Sequence, residues 1–116
     1  MEKHLSSQFD EELNRISTQV LEMGGVVESQ LRSVIRGLYQ HDHGAIQQVL
    51  ELEERVNRLE IEIDREITSV MSRRQPTARD LRLLVGVSRV IVNLERAGDE
   101  AARVARLTQE FIEAGA

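Results

Sequence analysis

The chain has 116 residues, no cysteine and a formal charge of −5, from 20 acidic and 15 basic side chains. These numbers allow one domain with a real core and exclude disulfides, thiolate chemistry and cysteine-type zinc sites. The acidic balance argues against nucleic acid, whose phosphates ask for a basic footprint, and three aromatics, Phe9, Tyr39 and Phe111, cannot build a base-stacking platform.

The first segment runs from about Ser7 to Gln40. Its apolar residues, Phe9, Leu13, Ile16, Val20, Met23, Val27, Leu31, Val34 and Leu38, step by three and four along one helical stripe. Gly24 and Gly25 fall inside it, where glycine usually marks a close backbone approach or room beside a site. His41 to Gly44 interrupt the pattern, and Asp42 is the expected N-cap of the next helix. His41 and His43, two apart, are surface turn residues rather than a metal pair.

The second segment, about 44–73, carries Val49, Leu52, Val56, Leu59, Ile63, Ile67 and Val70. It stops at Gln75-Pro76, the one proline of the chain. Thr77 and Asp80 then resemble a capping box. The third segment, about 78–112, puts Leu84, Val87, Ile91, Leu94, Ala101, Ala105 and Ile112 on one face, with Gly98 between. Strand signals are missing. Three helices of about 30 residues, each about 45 Å long, joined by short connections, must lie antiparallel to their chain neighbours. The expectation is an all-α, elongated, up-down-up three-helix bundle filling 1–116 as one domain.

No run of about 18 apolar residues exists, and no short apolar stretch with a cleavage site opens the chain. A cytoplasmic protein without membrane insertion is therefore expected. There is no Gly-rich phosphate loop, no Glu-x-x-His pair of the di-iron type and no nucleophile–base constellation, so no catalytic residue is assigned and an enzyme is not expected.

Acidic side chains are the chemically suggestive feature. Glu95 and Asp99 are four apart and share one face of the third helix. They stand roughly 80–120° from the centre of the apolar stripe, on the shoulder of the core. The second helix has a matching shoulder row, Glu53, Asn57, Glu60 and Asp64. Counted back from Pro76, Asn57 and Glu53 come level with Glu95 and Asp99. Glu60 lies within about one turn, and Asp64 roughly 10 Å nearer the loop. Crowded carboxylates repel one another, and a multivalent cation removes the repulsion. Oxygen ligands suit magnesium, manganese, calcium or iron better than a structural zinc. The plainer reading is a solvated face with i,i+4 ion pairs, Glu51–Arg55, Glu54–Arg58 and Asp99–Arg103. Arg82, Arg89, Arg96 and Arg103 recur every seven residues, a solvent or interface face rather than an anion groove.

Four stretches are more specific: Met23 to Glu28, Val56 to Asp64, Arg74 to Arg82 and Leu94 to Asp99. With the opening from His4 to Leu13, they resemble the amino-terminal half of the PhoU family, from His4 to about Arg106. That resemblance implies two tandem three-helix bundles, each with an acidic surface cluster able to hold iron- or zinc-type ions, none of them essential. It further implies a non-enzymatic negative regulator of phosphate uptake and phosphate-starvation signalling, an adaptor between the ATPase subunit of the phosphate ABC transporter and a sensor histidine kinase. An acid followed four residues later by Asp recurs in the family, which favours Glu60 and Asp64, whereas height favours Glu53 and Asn57. All six residues, Glu53, Asn57, Glu60, Asp64, Glu95 and Asp99, form the candidate metal site. A second set of motifs does not follow, so the expectation is either part of a longer protein or a single repeat that restores the second bundle as a homodimer. The competing expectations are a metal-loaded carboxylate protein and a structural interaction module.

Overall fold

A computed structural model describes residues 2–115, with side chains from residue 8 onward. Met1 and Ala116, the ends of the expected domain, and the side chains of His4 to Ser7, the start of the resemblance, lie outside the described residues. Three helices follow one another: α1 (Glu2–Gln40), α2 (His43–Arg73) and α3 (Ala78–Glu113). They extend the expected bounds by a residue at α2 and α3, and by five at the start of α1.

The punctuation has local causes. After Gln40 the backbone enters the left-handed region at His41, with φ 53°. Asp42 then leaves helical geometry, and its side chain accepts a hydrogen bond from Ala45 N at 3.1 Å, the N-cap of α2. At the other end Arg74 N donates to Val70 O at 3.0 Å, and Pro76 prevents continuation. Thr77 caps α3 by accepting from Asp80 N at 3.2 Å, so the threonine half of the expected capping box is in place.

The helices pack as an up-down-up rod, 66 × 17 × 17 Å, each touching the other two. The rod is longer than a bundle of 45 Å helices because α1 has 39 residues. The α2 and α3 stripes are buried or half-buried as expected. The α1 stripe departs from expectation after Val27. Leu31 and Leu38 are 43% and 50% exposed, and Gln30, Ser33 and Gly37 are buried instead. The physical reason is supercoiling. Phe9, Ile16, Met23, Gln30 and Gly37 lie seven apart, a repeat of 3.5 that stays on the seam of a left-handed bundle, whereas steps averaging near 3.6 drift off it. In α3, Leu84, Ile91, Gly98 and Ala105 keep the same spacing.

The core is divided. A larger cluster is built on Ile16, Met23, Val27, Val56, Ile63 and Ile91, among others. A smaller one comprises Val34, Ile46, Val49, Ala101 and Ala105. The break between them falls between residues 27 and 34 of α1, 49 and 56 of α2, and 91 and 101 of α3. Gln30, Glu53 and Gly98 occupy that level.

At the far end of the large cluster, Glu12 is buried and takes Arg73 Nη1 and Arg74 Nη2, each at 3.0 Å, tying α1 to the end of α2. Elsewhere the expected i,i+4 ion pairs give way to other partners. Arg55 reaches across to Glu22 at 2.7 Å rather than to Glu51, and Arg103 pairs with Glu100 at 3.1 Å rather than with Asp99.

Candidate metal centre

The three carboxylates that meet are Glu53 from α2 and Glu95 and Asp99 from α3. One oxygen from each lies within 4.8 Å of the others. Glu95 and Asp99 are brought to one face by the helical repeat, and the antiparallel course of α2 brings Glu53 to the same height. Gly98 makes the approach of the helices possible. A Cβ there would lie 2.9 Å from Gln30 Oε1 and 3.1 Å from Glu53 Oε2. Gly24 and Gly25, by contrast, have nothing within 4 Å of such a Cβ, so neither marks a close approach.

The other members of the six-residue set are placed differently. Glu60 is half-buried at the edge of the group, and its carboxyl is pushed up by burial and then by the charges of Asp64 and Asp99. Asp64 and Asn57 are exposed on α2. His41, His43 and the four arginines of the seven-residue row are likewise exposed.

Glu53 and Glu95 are half-buried and Asp99 is exposed, and the electrostatics of the group differ accordingly. Glu53 is pushed up to about 7, first by burial, then by its hydrogen bond with Asp99 and by the negative charges beside it. Glu95 is also raised, again by burial before the hydrogen bond and charge of Asp99. Asp99 moves the other way, held down chiefly by the hydrogen bond from Glu53, with Arg103 and Arg106 assisting. The two glutamates are thus raised and the aspartate lowered, as expected of acids that titrate together.

Two features were not foreseen from sequence. Gln30 is wholly buried, and its Nε2 donates to Glu53 Oε2 at 2.9 Å and to Val49 O at 3.2 Å. Glu53 Oε1 and Gln30 Oε1 are both buried without a hydrogen-bond partner. The seven-residue spacing from Phe9, Ile16 and Met23 carried the signal for Gln30. Nothing comparable marks Glu12 as the partner of Arg73 and Arg74. A buried carboxylate oxygen without a donor is costly. A proton or a hard cation would satisfy it, and the all-oxygen donor set fits such a cation.

An elongated three-helix repeat crossed by a polar layer, with carboxylates converging on its shoulder, defines an all-α bundle class with an acidic cluster. The PhoU domain model matches residues 20–108, and the chain belongs to the PhoU family. Over 116 residues it is 48% identical to the phosphate-specific transport system accessory protein PhoU homolog of a Burkholderia species, covering 100% of this chain and 49% of that protein. The Escherichia coli K12 phosphate-specific transport system accessory protein PhoU is 42% identical over 110 residues, 95% of this chain and 46% of that one. The crystal structure of PhoU from Pseudomonas aeruginosa superposes with a TM-score of 0.89 at 41% identity, over 92% of this chain and 51% of that chain. The chain thus spans about half the length of the curated relatives it matches.

Proposed function

We propose that this chain regulates phosphate transport as a non-enzymatic accessory bundle in the cytoplasm. It restrains phosphate uptake and starvation signalling by docking on the ATPase subunit of a phosphate ABC transporter and on a sensor histidine kinase. The observation that carries this reading is its likeness, along the whole chain, to proteins named as accessory components of phosphate-specific transport. No helix among the described residues is long and apolar enough to cross a membrane, which suits a protein that meets its transporter from the side.

The surface supports a docking role. The amino-terminal half of α3 is apolar on more than its core side: Leu83, Val85, Val90 and Val92 are between 42% and 51% exposed while Leu84 and Ile91 are buried. A helix apolar nearly all round asks to be covered. A second copy of the chain, or a transporter or kinase surface, would cover it. The acidic group is proposed to hold a divalent or iron-type cation (iron, manganese, magnesium, calcium or zinc) through Glu53, Glu95 and Asp99, with Glu60 alongside. Bound there, the cation supplies positive charge that offsets the crowded carboxylates. Glu53 would supply a carboxylate oxygen from α2, and Glu95 and Asp99 would supply theirs from α3. Occupancy then shifts which complex is populated by favouring one arrangement of the helices.

The test is a pull-down of the chain with the ATPase subunit and with the kinase, alongside Glu95→Ala/Asp99→Ala and Leu83→Glu/Val90→Glu. Capture lost only with Leu83→Glu/Val90→Glu supports docking through α3 with an incidental metal site. Capture lost with Glu95→Ala/Asp99→Ala ties the acidic group to regulation. Absence of capture by the unaltered chain, both alone and as a tandem repeat, overturns the adaptor reading.

A further inference from the structure

Gln30 stands apart from its surroundings. It occupies a core seam position of α1, yet it is a polar side chain with no exposure. Its amide nitrogen is fully used, donating to Glu53 Oε2 at 2.9 Å and to Val49 O at 3.2 Å. Its carbonyl oxygen has no partner. That oxygen lies against Gly98 of α3, 2.9 Å from where a Cβ of that residue would stand. Asp99 is the next residue and Glu95 is three before. The amide is therefore wedged between Glu53 and the turn that carries the other two acids.

The position makes sense as a support for a charge. Glu53 lies beside two further carboxylates and has Gln30 as its donor. A ligand oxygen held by a second residue keeps its direction when the ion leaves, and such supporting bonds commonly hold a metal site's geometry. Gln30 gives α1 a hydrogen bond to a group whose carboxylates belong to α2 and α3.

We propose that Gln30 is the positioning residue of the cation site: its amide N–H aims Glu53 at the ion and, through that bond, couples occupancy of the α2–α3 acidic group to α1. The inference rests on the reading of Glu53, Glu95 and Asp99 as cation ligands. A cation held by the group would restrain Glu53, and the Gln30–Glu53 bond would carry that restraint to α1. Without Gln30 the same carboxylates remain, but Glu53 is free to swing and α1 no longer feels the ion.

The probe is Mn²⁺ added to metal-free protein, with affinity read from the free-ion electron paramagnetic resonance signal and stability from thermal melts. Gln30→Met fills the same volume without the amide. It is expected to weaken Mn²⁺ binding by about 10- to 100-fold; its metal-free melting temperature is read alongside, because the change removes an unpaired oxygen and also the donor to Glu53 Oε2 and Val49 O. Mn²⁺ is also expected to slow amide exchange in α1 around residue 30 of the unaltered chain and to leave it unchanged in Gln30→Met. If Gln30→Met loses stability without metal and hampers the comparison, amide exchange decides: Mn²⁺ must slow exchange in α1 around residue 30 of the unaltered chain and leave it unchanged in Glu95→Ala/Asp99→Ala. Exchange in α1 of the unaltered chain that does not respond to Mn²⁺ overturns the proposal. So does Mn²⁺ affinity in Gln30→Met equal to the unaltered chain, when Glu95→Ala/Asp99→Ala abolishes binding; the carboxylate site then stands without Gln30. Equal binding by the unaltered chain and Glu95→Ala/Asp99→Ala removes the carboxylate site and this proposal together.

Discussion

Glu12 is buried and Glu53 half-buried, and burial pushes both carboxyls up, yet the two shift in opposite directions because their neighbours differ. Glu12 is 5% exposed and takes three hydrogen bonds from Arg73 and Arg74, one of them the longer Arg74 Nε contact at 3.5 Å. The Arg74 hydrogen bond, ahead of the opposing effect of burial, holds its carboxyl below the ordinary value. A depressed acid contributes stability above its unfolded value and loses it as pH falls through the folded one. Glu12→Gln should therefore cost about 2 kcal/mol at pH 7, the scale of hydrogen bonds to charged groups, and the gap to the unaltered chain should close as the pH is lowered below 4; urea melts across that range measure it. Glu53, among like charges, is raised to about 7. Between the unfolded carboxyl range and pH 7 the folded chain then holds a proton that the unfolded chain has released, so this group favours folding at low pH and the contribution is lost as pH rises through 7. Metal-free melts at pH 5.5 and 7.5 should show the decline, and Glu53→Gln should flatten it. A Glu53→Gln chain with the same decline would mean that Glu53 does not carry the proton.

At the scale of the helix, glycines of identical propensity have opposite consequences. Gly25 faces open space, so Gly25→Ala should stabilise the chain by about 1 kcal/mol through helix propensity alone. Gly98→Ala gains the same amount but forces a methyl against Gln30 Oε1 and Glu53 Oε2, neither of which can retreat without giving up the bond between them. A net loss of about 1 kcal/mol is expected, since overpacking costs about 1–3 kcal/mol; paired denaturation curves of the two variants give the comparison directly. The helices themselves were legible because three long apolar stripes, a single proline and two capping residues all point to one arrangement. Glu95 and Asp99 were legible from their spacing, and Glu53 from counting heights on antiparallel helices. The end of α1 was not: Leu31 and Leu38 look like core by composition, and Gln30 does not. Only the seven-residue repeat imposed by supercoiling puts the glutamine inside. Asn57 sits level with Glu95 by the same counting yet is exposed, because equal height on two helices does not fix the direction a side chain takes around its own axis.

For the whole molecule, the radius of gyration of 18.1 Å exceeds the about 13 Å of a compact chain of this length, as expected for a rod. The rod is not uniform along its length. Its larger hydrophobic cluster and its smaller one meet at the level of Gln30, Glu53 and Gly98, about 15 Å from the α1–α2 turn. With fewer and smaller side chains, the short lobe opens more readily than the long one. Amides near Val34, Val49 and Ala105 should exchange faster than those near Ile16, Ile63 and Ile91 in metal-free protein, and hydrogen-exchange mass spectrometry resolves the two sets. Uniform exchange along the rod would show that the two clusters unfold as one. Considered as a beam, a rod 66 Å long and 17 Å across is braced across its three helices at the level of Gln30, Glu53 and Gly98. A load placed on the tip at His41 acts on the short lobe first, and the polar layer stands between it and the long one.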